Sequence, residues 1–203
     1  SKLIDRKFTK PILIELLECF KTRNDARIQE LVTDEADIPT IFEYILAIIW
    51  FKVSEKRGNI LEFMKLSLEA NLLPKSHAVG GLADIVYEYE ACEEYPKHSL
   101  LIEATLTDGK TQRRAEMEPV SRHLGEYRVK SGNPFDYSLF ISTYLDKNVI
   151  SDFRYRKNMP YYGIGDEKIP GMKIISLDTD TLKIIIKKSI KYRYLYGVFD
   201  SYH

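Results

Sequence analysis

Residues 82–90, LADIVYEYE, and residues 99–107, SLLIEATLT, decide the fold of this chain. The first stretch alternates apolar and polar residues and is rich in β-branched and aromatic side chains, which is typical of a strand. The second stretch has the apolar pattern of a neighbouring strand. Because the connection Glu93–His98 contains a Pro and a Lys, the pattern predicts two adjacent strands joined as a hairpin.

Helical patterns precede this hairpin over residues 10–76. Apolar spacing predicts helices in PILIELLECF (11–20), NDARIQELV (24–32) and IPTIFEYILAIIWFKVSEK (38–56), and a fourth helix over 59–72. The third of these segments is apolar almost all round, so we expect it to be the buried central helix.

Helices and strands alternate after the hairpin. The pattern predicts a helix at Thr111–Lys130, a strand at Tyr137–Thr143, a helix from Asp146 to about Lys157, a loop at 159–171, a strand at 172–178 and a long helix from Thr179 to the C-terminus. This order predicts an α/β fold with a mixed β-sheet flanked by helices. We expect a single domain over residues 1–203, in which 1–76 is mostly helical and 77–203 carries the sheet and the active site.

Length and composition indicate one globular domain. With 203 residues, the chain can bury one substantial core. Hydrophobic residues make up 44% of the sequence, but no apolar run reaches the roughly 18 residues of a membrane-spanning helix. The absence of a signal sequence and of paired cysteine spacing predicts a soluble, cytoplasmic protein in which Cys19 and Cys92 are buried or inert. The missing initiator Met suggests that the chain was cut from a longer protein.

The charges of the chain balance, with 30 Lys and Arg against 30 Asp and Glu. This balance counts against a domain that holds nucleic acid by itself. Basic residues still cluster in two places, which are Lys110, Arg113 and Arg114 in one segment and Lys183, Lys187, Lys188, Lys191 and Arg193 in the other. Such runs are usually solvated faces. KKSIKYRYLYGVF (187–199) could also be a docking or phosphate-facing surface, although a core helix with a solvated basic face is the favoured interpretation.

Asp84 and Glu103 are candidate metal ligands. They lie on the two predicted strands, whose alternation can bring both carboxylates to one face of the sheet. A hard cation such as Mg²⁺ takes oxygen ligands, needs few of them from protein, and supports phosphodiester hydrolysis. Two alternatives stay open: Glu103 could pair with a Lys or Arg, and Asp84, which follows Gly80 and Gly81, could simply shape the entry to its strand.

A third acidic candidate follows in the predicted helix. One stripe of this helix contains Gln112, Glu116 and His123. A second stripe contains Arg114, Glu118 and Arg122. Glu118 therefore has arginine partners at the surface, and Glu116 is the better candidate to face the site. Pro119 can kink the helix, which leaves the phase across it open.

The chain resembles a known family at this point. The residues that carry the resemblance are ADIVYEYE (83–90), IEATLT (102–107) and QRRAEMEPVSRHLGEY (112–127). They are similar to the PD-(D/E)xK nucleases, and most similar to the AlwI-like type IIS restriction and nicking endonucleases, which include separate small cleavage subunits. The resemblance implies a restriction-endonuclease-like core and a metal site formed by Asp84, Glu103 and Glu116.

The sequence departs from this family pattern at Thr105, where a Lys is usual, although the AlwI-like group shares the departure. Thr cannot act as a base or a point charge, so the orientation of water falls to Glu116, Gln112 or a second metal. The resemblance also implies a site role for Glu43, whose alternative is a core-edge Glu paired to a base. His123 is more often a structural hydrogen-bonder than a catalyst, and a loop histidine such as His77 rarely contacts phosphate specifically.

These patterns predict a Mg²⁺-dependent endodeoxyribonuclease domain, with Mn²⁺ able to substitute. It would cut one strand of double-stranded DNA, as the cleavage module or small subunit of a type IIS restriction endonuclease. Sequence recognition would come from another domain, a large subunit or a complex with a second cleavage module. The alternative is a catalytically inactive nuclease-like subunit that binds DNA or a partner. A nucleotide-processing enzyme lacks support because no phosphate-binding glycine loop is present.

Overall fold

A computed structural model describes residues 2–55, 60, 67–68, 73–76 and 83–203 of the chain. The helices are α1 (Lys2–Lys7), α2 (Lys10–Thr22), α3 (Asp25–Leu31), α4 (Ile38–Val53), α5 (Gly109–Ser131), α6 (Lys147–Tyr155), α7 (Thr179–Lys187) and α8 (Tyr192–Tyr202). The strands are β1 (Ser67–Leu68), β2 (Pro74–Ser76), β3 (Ile85–Tyr89), β4 (His98–Thr105), β5 (Tyr137–Ser142), β6 (Tyr161–Tyr162), β7 (Lys168–Ile169) and β8 (Ile174–Asp178).

The central sheet has the strand order β3-β4-β5-β8. The predicted hairpin is confirmed, because β3 and β4 pair in antiparallel register with Ile85 opposite Ile102. The strands β4, β5 and β8 run parallel, so their last residues, Thr105, Ser142 and Asp178, lie along one edge of the sheet. We refer to this edge as the carboxyl edge, which is where open α/β sheets usually bind ligands.

Helices cover both faces of the sheet. Along β4, Leu100 and Ile102 belong to the core shared with α2, α4, α7 and α8, whereas Leu101 belongs to the core shared with α5 and α6. Because side chains alternate along a strand, Glu103 lies on the same face as Leu101, toward α5. The predicted mixed sheet flanked by helices is confirmed.

Helix α4 is the buried central helix that the sequence predicts. The Asp37 side chain caps its start by accepting a hydrogen bond from the Thr40 amide at 2.8 Å, and Pro39 fits the first turn. Most residues of α4 are buried, including Trp50, because the helix is apolar on nearly every side. Its one charged residue within the apolar run, Glu43, is therefore held inside the protein.

Helix α5 continues without interruption through Pro119. Proline leaves the carbonyl four residues earlier without its helical donor, but that residue, Ala115, is exposed to water. The phase of the helix is therefore kept, and Gln112, Glu116 and His123 stay on the side of α5 that faces the sheet.

The predicted long C-terminal helix is wrong, because α7 and α8 are separate helices. Ser189 takes a left-handed conformation with φ of +53°, and the amides of Ser189 and Ile190 bond back to the carbonyls of Ile186 and Ile185. This is the hydrogen-bond pattern that ends a helix. The chain then turns, and α8 buries Tyr192 and two further residues, Leu195 and Phe199.

Two segments differ from the sequence prediction in smaller ways. The loop predicted at 159–171 contains the short hairpin β6–β7, in which Tyr161 pairs with Ile169. The helix predicted over 59–72 lies mostly outside the described residues, and its described pair Ser67–Leu68 is a strand that pairs with β2. His77 also lies outside the described residues.

The two cysteines differ in their exposure to solvent. Cys19 is buried as expected, whereas Cys92 is exposed and its Sγ lies 3.1 Å from Oε2 of Glu94. Across the described ranges, no helix has the length and apolar character needed to span a membrane.

Candidate active site

Asp84 and Glu103 are neighbours across the β3–β4 hairpin. Asp84 directly precedes β3, and the register that places Ile85 opposite Ile102 brings Asp84 opposite Glu103. The Asp84 Oδ2 atom accepts a hydrogen bond from the Ala104 amide at 2.9 Å. The carboxylate of Asp84 is thus fixed to the backbone of β4 beside Glu103, on the face and near the end of the sheet that the sequence predicts.

The ionisation of Asp84 reflects its surroundings. Burial raises the pKa of Asp84 to about 7, and the negative charge of Glu103 adds to the rise. The hydrogen bond from the Ala104 amide opposes this rise. Two carboxyl groups held this close resist ionising together, and a cation between them would remove the repulsion.

Glu43 brings a carboxyl group from α4 toward the same place. Its side chain is buried, and this burial raises its pKa to about 9. The charges of Asp84, Asp37 and Glu103 contribute to the same rise. Glu43 therefore lies within electrostatic range of both strand-borne carboxylates, as the predicted site role requires.

Glu103 contacts His123, which α5 supplies from across the face of the sheet. The Nδ1 atom of His123 lies 2.9 Å from Oε1 of Glu103, and both side chains are largely buried. Burial and the nearby Arg122 lower the pKa of His123, so the imidazole is neutral at neutral pH. A neutral imidazole that donates its Nδ1–H orients Glu103 without cancelling its charge. His123 thus has the structural role expected of it, and the residue that it orients is Glu103, a candidate metal ligand.

Glu116 is held by two threonines. Its Oε1 atom accepts hydrogen bonds from Oγ1 of Thr105 at 2.8 Å and from Oγ1 of Thr107 at 3.3 Å. Thr105, which stands where the family pattern has Lys, therefore fixes a site carboxylate. Glu118 instead bonds Arg122 at 3.0 Å, as its spacing predicts. The sequence analysis missed Thr107, although two threonines separated by two positions at a strand end share a face and were a usable signal.

Gln112 is completely buried beside these residues. Its Nε2 atom lies within hydrogen-bond distance of three acceptors, the Thr107 carbonyl at 3.0 Å, Ser142 Oγ at 3.1 Å and the Tyr144 carbonyl at 2.7 Å, which share its two N–H groups. Its Oε1 atom accepts from the Asp146 amide at 2.9 Å. Both ends of the amide are therefore engaged by the protein, and the geometry favours a positioning role for Gln112 over contact with a substrate.

The donor set suits a hard divalent cation held by few protein ligands. Among the residues that the structure describes, no group of three or more Asp, Glu, His or Cys side chains is gathered as a ready-made metal site. The structure brings Asp84 and Glu103 together, and it holds Glu116 nearby on the two threonines. Two carboxylates are enough for Mg²⁺, which keeps several waters and binds substrate phosphates. The pKa of Asp84 is raised by burial and by the charge of Glu103, and a divalent cation bound between these two carboxylates would stabilise their ionised forms.

Comparison with known proteins identifies relatives of this architecture. The sequence model of the AlwI restriction endonuclease family matches residues 1–185 of the chain. Among curated proteins the comparison found no match.

Two solved structures share the fold. The small subunit R.BspD6I2 of the heterodimeric restriction endonuclease R.BspD6I superposes with a TM-score of 0.62 at 22% identity, covering 92% of this chain and 87% of that one. The restriction endonuclease FokI superposes with a TM-score of 0.51 at 14% identity, covering 79% of this chain and 27% of FokI. At these identities the likeness shows the fold alone, and it confirms the restriction-endonuclease-like core that the sequence predicts.

Proposed function

The chain belongs to the AlwI restriction endonuclease family, a family of type II site-specific deoxyribonucleases, and we propose that it hydrolyses one strand of double-stranded DNA with the help of Mg²⁺. The observation that carries this proposal is the pairing of Asp84 and Glu103 across the hairpin at the carboxyl edge. Burial and mutual repulsion raise the pKa of Asp84 to about 7, which is the environment that a metal ion converts into a stable site.

In the proposed mechanism, Asp84, Glu103 and Glu116 would hold Mg²⁺ or Mn²⁺. When bound, the cation lowers the pKa of a coordinated water and neutralises charge on the phosphate oxygens. His123 keeps the Glu103 carboxylate in place through its Nδ1–H. The Ala104 amide does the same for Asp84.

The remaining carboxyl groups handle protons in this proposal. Glu116, fixed by Thr105 and Thr107, accepts a hydrogen bond from the attacking water and orients its oxygen toward phosphorus. In the metal-free protein, burial raises the pKa of Glu43 to about 9, so Glu43 holds a proton at neutral pH. A protonated carboxyl group can donate a hydrogen bond to a phosphate oxygen, whereas an ionised one would repel it. Gln112 supports these residues by fixing the start of α5.

We propose that residues 1–203 form one cleavage domain that acts in the cytoplasm and depends on a partner for sequence recognition. The balanced charge of the chain provides little attraction for DNA over the whole surface. R.BspD6I2 is described as the small subunit of a heterodimeric enzyme, and we extend that assembly to this chain. A recognition subunit or domain, or a second cleavage module, would then bring the carboxyl edge to the DNA.

A plasmid cleavage assay tests the proposed reaction. Supercoiled plasmid is incubated with the chain, alone and with its candidate recognition subunit, in Mg²⁺, in Mn²⁺ and in chelator. We expect nicked circles only with metal, and we expect Asp84→Asn and Glu103→Gln to abolish them. Glu30→Gln is the matched control, because the exposed Glu30 pairs with Arg27 on α3, far from the β3–β4 hairpin in the sequence. Undiminished cutting by either site variant would refute the assignment.

A catalytically inactive subunit is the second candidate. The lack of a gathered three-ligand group among the described residues favours it. Calorimetric titration with Mn²⁺ separates the two functions. Heat of binding that Asp84→Asn removes supports the nuclease, and the absence of binding, with and without DNA, supports the inactive subunit.

A further inference from the structure

Four exposed basic residues lie together at the start of α5 and α6. Lys110, Arg113 and Arg114 occupy the first turns of α5, at spacings of three and four residues that place them on adjacent positions of the helix surface. Lys147 is the first residue of α6 and is also exposed. We refer to these four residues as the α5–α6 basic patch.

The structure fixes the two halves of this patch side by side. Gln112, which lies within the first turn of α5, accepts a hydrogen bond from the amide of Asp146, the residue that caps α6. It also donates to the carbonyl of Tyr144 in the loop that leads to α6. Both helices begin after strands that end at the carboxyl edge, so the basic patch flanks the proposed active site. Glu116 lies within one helical turn of Arg113.

Within the described part of the chain, none of the four cations forms an ion pair with an acid. Glu118, four residues after Arg114, pairs instead with Arg122 at 3.0 Å, and Glu116, three residues after Arg113, is bonded by Thr105 and Thr107. Asp146 is within electrostatic range of Arg113, but its Oδ1 atom accepts hydrogen bonds from the amides of Asn148 and Val149 in its own helix. Asp108 is exposed at the start of α5 and leaves the patch with an excess of positive charge.

The other basic cluster of the sequence behaves differently. Lys183 pairs with Glu18 and, at 2.8 Å, with Asp180. Lys191 and Arg193 both pair with Glu55 at 3.4 Å. Sequence alone gives both clusters the same interpretation, a solvated face, but acids within the protein neutralise most of the C-terminal one. This contrast leaves the α5–α6 patch as the basic surface whose charge is available to a ligand.

We infer that the α5–α6 basic patch binds the sugar-phosphate backbone of double-stranded DNA beside the scissile bond, an inference that rests on the proposed nuclease function. Duplex DNA presents one negative charge per ~1.7 Å of its axis, so several phosphates fall within reach of such a patch. Exposed Lys and Arg that contact phosphates position the duplex without reading its bases. The patch therefore suits a cleavage module whose sequence recognition is supplied elsewhere.

The test measures binding of a fluorescent DNA duplex by anisotropy, in chelator so that the DNA stays intact, over a range of salt concentrations. The variant Lys110→Gln/Arg113→Gln/Arg114→Gln removes three charges. If all three contact phosphates, the slope of log K against log salt becomes shallower by about 3. When the salt is raised from about 50 mM to about 200 mM, the affinity of both proteins for DNA should fall. The fold-decrease for the unmodified chain should be about 40 times the fold-decrease for the variant. Lys147→Gln should reduce the slope by a further ~1.

The matched control removes three exposed charges elsewhere, in Lys130→Gln/Lys187→Gln/Lys188→Gln. Lys130 lies at the far end of α5, about 30 Å along the helix from Lys110. The control should bind DNA with the salt slope of the unmodified chain. An equal loss in the two variants would show general charge attraction only and would overturn the inference. The absence of measurable binding by the unmodified chain would overturn it as well.

Failure of this inference can be told apart from failure of the proposed nuclease. If the patch variant loses DNA binding while the unmodified chain never cuts plasmid with Mg²⁺ or Mn²⁺, the patch stands and the nuclease fails. If Asp84→Asn abolishes cutting but the patch variant binds and cuts like the unmodified chain, the nuclease stands and the patch is refuted. If the patch variant keeps its DNA affinity but no longer associates with a recognition subunit, the patch serves an acidic protein surface and the inference is again refuted.

Discussion

Replacing Gln112 by Ala should lower the stability of the protein, because Gln112 holds together the segments around the candidate site. We expect this loss of stability, and not the loss of a group that contacts the substrate, to be the main effect. The two N–H groups of the Gln112 amide are shared among the carbonyls of Thr107 and Tyr144 and the hydroxyl of Ser142, and its oxygen accepts a hydrogen bond from the amide of Asp146. Alanine leaves all of these groups without that partner in a region closed to water, since Gln112 is 0% exposed. The variant thus separates the positioning role that the geometry favours from a direct role on the substrate.

The expected loss of stability follows from these contacts. A buried hydrogen bond contributes about 1 kcal/mol net, so the two N–H groups and the accepting oxygen of the amide together correspond to about 3 kcal/mol. For a chain of this size, each kcal/mol shifts the melting temperature by about 2 to 4 °C, which gives a fall of roughly 6 to 12 °C. Gln112→Glu should cost more, because it keeps an acceptor for the Asp146 amide but turns a carboxylate oxygen toward two carbonyls.

Urea denaturation followed by far-UV circular dichroism measures this loss, and thermal melts check it. The control is Gln29→Ala, the same substitution at the other glutamine of the chain, which makes no hydrogen bond within the described structure. That variant should stay within about 0.5 kcal/mol of the unmodified protein. If Gln112→Ala is as stable as the control but has lost DNA cleavage, Gln112 acts on water or substrate and the positioning argument fails.

Two further predictions concern the carboxylates. In the metal-free protein the pKa of Asp84 is raised to about 7, against about 3.9 for an exposed Asp, so the folded chain keeps a proton that the unfolded chain has lost. Stability should fall as the pH rises from about 4 to about 7, and Glu43, whose pKa is raised to about 9, adds to this fall and extends it to higher pH. Urea denaturation should therefore find a smaller, but not abolished, fall between pH ~4 and pH ~7 in Asp84→Asn. His123→Ala removes the donor that orients Glu103, and calorimetry should show Mn²⁺ affinity reduced by about 10- to 100-fold. Unchanged Mn²⁺ affinity in that variant would count against Glu103 as a ligand.

The sheet and the paired acids could be predicted because their signals are local. Alternation and β-branching mark β3 and β4, and a short connection makes the two strands adjacent. Once the strands are adjacent, alternation can bring Asp84 and Glu103 to one face, and the register that places Ile85 opposite Ile102 does so. Helical spacing likewise predicted that Glu116 and Glu118 lie on different sides of the helix. This prediction required the helix to continue through Pro119, and α5 does so.

The features that could not be predicted depend on contacts between distant parts of the chain or on backbone geometry. Gln112 looked like a site residue because it lies four positions before Glu116, yet its partners include Ser142 and Asp146 from strand and helix segments far along the chain. The end of α7 depends on Ser189 taking a left-handed conformation, which a non-glycine residue seldom does and which apolar periodicity does not encode. Ile190 and Leu195 continue the apolar pattern beyond Ser189. Apolar periodicity therefore predicted one long helix where the structure has two.

Thr105 leaves the candidate site without a cation at this position. This absence connects the need of Asp84 and Glu103 for a metal ion with the presence of the α5–α6 basic patch at the same edge. A lysine at this position would place a cation beside the carboxylates, whereas Thr105 donates a neutral hydrogen bond to Glu116. The site therefore depends more heavily on positive charge from outside its own side chains. A bound metal ion supplies part of that charge at Asp84 and Glu103. The α5–α6 basic patch supplies the rest, because the phosphates that it attracts would otherwise be repelled by the acids at the same edge. Losing the patch should then weaken DNA binding most when metal is absent, which a comparison of anisotropy in chelator and in Mn²⁺ would measure.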